Sequence, residues 1–140
     1  MTILKRQCDS CKNTIDIRVG QSVFNGELLW FASYSCPVCN IEIEEDGKGA
    51  APEEIRQVLL REYGIWYLEV RESGKRALMA AKFLGAIVNL SNLEILKLRH
   101  KIPGRVMMGT QFEMIKLDRI LKQNGFRSLI QKINKLETHS

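Results

Sequence analysis

Histidine is nearly missing from this 140-residue chain, which has only His100 and His139. It also lacks a Gly-rich phosphate loop and a spaced carboxylate pair. Once its four cysteines are grouped, no thiol is left over as a nucleophile. These gaps exclude the usual catalytic constellations, and the chain reads as non-enzymatic, with no small-molecule substrate. Long apolar runs are missing too. The longest, ALMAAKFLGAIV from Ala77 to Val88, is broken by Lys82 and falls short of the roughly 20 residues a membrane-spanning helix needs. The N-terminal MTILKRQC has no apolar core of signal-peptide length, so a cytoplasmic location with reduced thiols is expected.

Charge is present in both signs but unevenly placed. Up to Ala51 there are five Lys or Arg against seven Asp or Glu; from Pro52 onward there are sixteen against nine, a local net charge of +7. A basic half can meet nucleic acid, an acidic protein or water, and charge alone does not choose among them.

The four cysteines form two Cys-x-x-Cys pairs, Cys8 with Cys11 and Cys36 with Cys39, separated by 24 residues. A two-residue spacing lets both thiolates of a pair reach one ion, and two pairs complete a tetrahedral zinc sphere. Asn13 and Asn40, which follow the pairs, suit the left-handed conformation such turns require. The separation exceeds the usual spacer of about 15 to 20 residues, and a hairpin accounts for the excess. TIDIRV (Thr14 to Val19) alternates as a strand, FNGE (Phe24 to Glu27) carries an Asn-Gly turn, and LLWFASYS (Leu28 to Ser35) leads into the second pair. IEIEEDG (Ile41 to Gly47) reads as a third strand. This layout resembles a zinc ribbon, with Cys8, Cys11, Cys36 and Cys39 as ligands. Separate buried thiol pairs are one rival reading. A redox dithiol at Cys36-Pro37-Val38-Cys39 is another, although it needs only one pair and a βαβ surround that is absent. Four thiolates leave no open position for water, so the zinc is expected to be structural.

Gly47, Gly49, Ala50 and Ala51 suggest a linker. Pro52 then stands at a first helical position, with Glu53 and Glu54 in the first turn. Ile55, Val58, Leu59 and Tyr63 recur at helical spacing before Gly64. IWYLEVRES (Ile65 to Ser73) is a strand by its aromatic and branched content, and Ser73 can cap a helix over Gly74 to Val88. Ser91 with Glu94 and Thr110 with Glu113 are capping boxes that start two further helices. These end near Lys101 and Asn124. RVMMG (Arg105 to Gly109) and FRSLI (Phe126 to Ile130) are short strands. The fold class is therefore α+β: a small β zinc ribbon followed by a βααβαβ two-layer sandwich, with helices on one face of a three-stranded sheet. The expected divisions are 1–47 for the ribbon, 48–64 for a linker and connecting helix, 65–131 for the sandwich and 132–140 for a tail.

The sandwich resembles the C-terminal domain of the large-subunit ribosomal stalk protein over nearly half the chain. The similar positions are Leu90, Glu94 and Leu98 in LSNLEILKL, Pro103, Val106 and Gly109 in PGRVMMG, and Leu117, Leu121 and Gly125 in LDRILKQNG. The Clp protease adaptor shares that fold, but its Asn-Asp-Asp loop and histidine pattern are absent here. The resemblance implies a basic partner-binding surface centred on the first helix of the sandwich, where Lys82 falls on a matching lysine. Gly85 stands where that family usually has arginine, and a ribbon replaces the stalk's dimerisation helices and long hinge.

The helix over Lys75 to Val88 is apolar on nearly every side, so one face covers the sheet and the other meets either the first helix, the ribbon or a partner. Trp30, Phe31, Trp66 and Tyr67 are either core residues or docking anchors. The candidate partner-binding residues are Arg76, Met79, Lys82, Phe83, Lys97, Lys101 and Arg105, while Lys116, Arg119, Lys122 and Arg127 read as a solvated face. The leading expectation is a protein-interaction module, in its specific form an immunity-type protein that neutralises a toxin. The alternative is a nucleic-acid- or ribosome-associated factor that uses the basic half.

Overall fold

In a computed structural model, which describes residues 2–133, the chain divides into two compact units between Gly64 and Ile65. The fold is α+β, with two antiparallel sheets and four helices among the described residues.

The first unit is a meander of β1 (Thr2–Gln7), β2 (Thr14–Phe24), β3 (Glu27–Cys36) and β4 (Ile41–Lys48), followed by α1 (Glu53–Tyr63). Period-two alternation builds β2: Ile15, Ile17 and Val19 are buried, while Asp16 and Arg18 between them are exposed. The β2–β3 hairpin closes through Asn25 and Gly26, both at positive φ (50° and 75°), as an Asn-Gly turn requires. The sequence pattern does not predict β1, because TILKRQ alternates poorly; pairing with β2, from Thr2↔Val19 to Gln7↔Thr14, organises it.

Helix α1 completes this unit. Its Ile55, Val58 and Leu59 form one buried cluster with Ile17, Val19 and Ala51, and Arg6 of β1 is paired with Glu54. Pro52 is the N-cap, not the first helical residue, because its ψ of 145° is extended. Trp30 packs on this core, whereas Phe31, one residue on, is 48% exposed on the opposite sheet face.

In the second unit, β5 (Trp66–Val70) lies between β6 (Gly104–Gly109) and β7 (Ser128–Lys132), antiparallel to both. Helices α2 (Gly74–Ile87), α3 (Asn92–Lys101) and α4 (Gln111–Gln123) complete it. Leu68 and Val70 are buried with Ala77, Ala80, Ala81, Leu84 and Leu121. Both capping boxes form, Ser91 with Glu94 and Thr110 with Glu113. Ser73 occupies the N-cap of α2, but its side chain makes no capping bond. The last strand begins at Ser128 rather than Phe126, because the Phe126 ring turns inward to Phe83, 5.8 Å between centroids.

The second face of α2 meets α3. A Cβ placed on Gly85 would lie 2.5 Å from Ile95 Cγ1, so the two helices approach so closely that any side chain there forces Ile95 to shift. Glu72 ties the ends of this unit together. Its side chain, 2% exposed, accepts from the Arg127 backbone N–H (2.8 Å) and from Arg76 Nε (3.1 Å). These donors, the backbone N–H first, hold its carboxyl below the ordinary 4.5. Residues 134–140, including His139 and most of the expected tail, lie outside the described residues.

Candidate metal centre

The two cysteine pairs occupy the β1–β2 and β3–β4 connections, which the meander places at one end of the sheet. Their backbones follow one plan. The Lys12 N–H donates to Cys8 O (2.8 Å) and the Asn40 N–H to Cys36 O (2.7 Å), each closing a turn around a Cys-x-x-Cys pair. The residue after the second cysteine is left-handed in both turns, Lys12 at φ 65° and Asn40 at φ 58°. The left-handed position expected at Asn13 therefore falls one residue earlier. Asn13 instead braces the first pair, since its Nδ2 donates to Cys11 Sγ at 3.3 Å and its carbonyl accepts from the Cys8 N–H at 2.8 Å.

All four sulfurs lie within 4.8 Å of one another. Cys8 and Cys39 are 3.8 Å apart, and Cys11 and Cys36 are 3.5 Å apart. A tetrahedral ion with bonds of about 2.3 Å to sulfur sets its ligands about 3.8 Å apart, so the four residues fit a metal ion. Cys8 and Cys36 are buried with Ile15, and Tyr34 packs against them. Cys11 and Cys39 are partly open to solvent.

Within the cluster one thiol favours the anion. Cys11 is pushed down to about 6, first by hydrogen bonding from the Asn13 backbone and then from the Cys39 thiol. Cys39 is pushed up to about 12, first by its interaction with Cys11 and then by burial. A bound cation would displace the remaining protons, so binding releases acid and strengthens as pH rises.

The structure separates the seven candidate partner-binding residues. Met79 (53% exposed) and Lys82 lie one turn apart on the open side of α2. Lys97 and Lys101 are exposed one turn apart on α3, beside exposed Leu93 and Leu96. Arg76 is engaged within the unit, bonded to Glu72 and stacked over Phe126 at 5.1 Å. Phe83 packs against the core. Arg105, on β6, lies over the Tyr67 ring at 3.9 Å, and Tyr67 is itself buried. Asn13 is the metal-site residue that sequence reasoning assigned to backbone geometry alone; its place two residues after Cys11 was the available signal. Comparison with protein-family models, with curated proteins and with solved structures finds no match to this chain.

Proposed function

We propose that the chain is a non-enzymatic protein–protein interaction module in which a structural zinc ion, held by Cys8, Cys11, Cys36 and Cys39, staples the first unit. The second unit does the docking. The observation that carries this reading is the open side of α2, where Lys75, Met79, Lys82 and Ala86 recur at helical spacing and all are exposed. A stripe that alternates cationic with apolar side chains suits a protein surface better than bulk water. The βααβαβ element order supports the stalk-like reading of this unit. Gly85 argues against a stalk-type GTPase contact, since an arginine there would collide with Ile95. The finer reading is an immunity-type protein that neutralises a partner toxin in the cytoplasm by tight docking.

The test is affinity capture with the zinc-loaded chain from native-host lysate, with and without nuclease, beside a Met79→Asp/Lys82→Glu variant. One dominant protein that survives nuclease and is lost with the variant supports the reading. Retention by the variant would remove α2 as the interface. A nuclease-sensitive catch would favour the second reading, a nucleic-acid- or ribosome-associated factor. That alternative draws on the fourteen Lys or Arg against six Asp or Glu from Ile65 onward, including exposed Lys97, Lys101 and Arg105. Binding of that kind must weaken steeply with salt.

A further inference from the structure

We infer that the free edge of β4 is a docking site for an extended basic segment of a partner protein, which joins the ribbon sheet as a fifth strand. β4 is the last strand of the meander. One side pairs with β3 from Leu29↔Lys48 to Cys36↔Ile41, and its other side pairs with no strand among the described residues. Such an edge presents a row of backbone donors and acceptors that templates an added strand.

The side chains of β4 specify what that strand carries. Glu42, Glu44 and Asp46 alternate along it and share one sheet face, opposite Ser35, Ser33 and Phe31. Their cross-strand neighbours are therefore all neutral. The three carboxylates are exposed and form no ion pair among the described residues. The same face bends into a trough of about 1020 Å³ between Lys5, Asp16 and Arg18 on one side and Glu42 and Glu44 on the other. Lys5 lies 3.9 Å from Asp16, so Arg18 is left as the only cation of the trough lining not already beside an acid, and the β4 wall remains acidic.

Carboxylates two residues apart on a strand repeat about every 6.7 Å, the same repeat as alternate side chains of an incoming strand. Lysine or arginine at every second position of that strand would face Glu42, Glu44 and Asp46 as direct neighbours, the arrangement in which opposite charges stabilise a sheet. Lys48, the cation on that face, lies 3.4 Å from Glu27, so the three charges disfavour edge-to-edge pairing of two β4 strands while admitting a basic strand.

The experiment titrates a fluorescein-labelled peptide of alternating threonine and lysine, roughly ten residues long, into the zinc-loaded full chain and follows anisotropy. The controls are a threonine–glutamate peptide and a threonine–lysine peptide N-methylated along one edge. Binding of the lysine peptide, absence of binding by both controls, and weakening of about tenfold in Glu42→Lys/Glu44→Lys/Asp46→Lys are expected. Glu44→Gln, expected to weaken binding about threefold, keeps the question decidable if the triple variant does not fold. Failure of the lysine peptide to bind would overturn the proposal, as would equal binding of the N-methylated peptide or an unchanged affinity in Glu44→Gln. Concentration-dependent self-association of the chain that Glu44→Gln weakens would also overturn it, by assigning the edge to β1 of a second copy.

Discussion

Lys12 holds a backbone conformation, φ 65°, that suits glycine best, because a Cβ there crowds the adjoining carbonyl. Asn40 in the matching turn tolerates this better, since asparagine visits that region more readily than lysine does. Lys12→Gly relieves the crowding but adds freedom to the unfolded chain, so the net gain is expected to be about 0.5 kcal/mol. Lys12→Val places a β-branched side chain in the same geometry and is expected to cost about 1–2 kcal/mol. With the chain loaded with zinc, the check is the chelator concentration that half-removes it, which should rise for the glycine variant and fall for the valine variant. Gly85 is a second position where one atom decides. Gly85→Ala adds helix propensity of roughly 1 kcal/mol but sets a methyl group 2.5 Å from Ile95 Cγ1, and overpacking of that kind costs roughly 1–3 kcal/mol. A net loss of about 1 kcal/mol in urea unfolding is expected, and Ile95→Val in the same chain should recover part of it by trimming the opposing side chain.

Among the elements, those with strong local signals were legible in the sequence. The alternation of β2, the Asn25-Gly26 turn, both capping boxes and the Cys-x-x-Cys spacing each depend on a few adjacent residues. Elements placed by distant partners were not. β1 carries little pattern of its own and exists through its pairing with β2, while the apolar stripe of α1 does not reveal that it packs on Ile17 and Val19. Which docking candidates are exposed was legible in part for the same reason. Adjacent residues on a helix point about 100° apart, so Lys82 is exposed while Phe83 turns into the core. Glu72 carried no sequence signal at all, because its donors come from Arg127, 55 residues away, and from Arg76. Its lowered carboxyl gives a pH prediction with a definite sign. A depressed folded value stabilises the protein above the ordinary 4.5, and that contribution is lost as pH falls through the lowered value. Glu72→Gln is therefore expected to lower the melting temperature of the second unit at pH 7. The gap between the two proteins should narrow only below pH 4.5. A gap that stays constant from pH 7 to pH 3 would show that the carboxylate charge is not what ties α2 to the start of β7.

At the scale of the whole molecule, the two units differ in what holds them. The second has a continuous core from Leu68 through Phe126 that involves no cysteine. The first divides its apolar content between a cluster under α1 and a smaller one around Cys8, Ile15 and Cys36. A unit of this size with so little core is marginal without a staple, and binding of about 10–16 kcal/mol by a four-thiolate zinc site is large against any deficit it would leave. In the zinc-loaded chain, chelation or Cys36→Ser is therefore expected to unfold the first unit as a whole, α1 included, because Ile55, Val58 and Leu59 are buried together with Ile17 and Val19 of the sheet whose end carries the cysteine turns. Hydrogen exchange decides the point. Amides of Thr14–Phe24 and of Glu53–Tyr63 should lose protection together, while those of Trp66–Val70 and Gln111–Gln123 keep theirs. Continued protection of Glu53–Tyr63 after metal loss would mean that the cluster under α1 is sufficient by itself and that the four cysteines staple only their own end of the sheet.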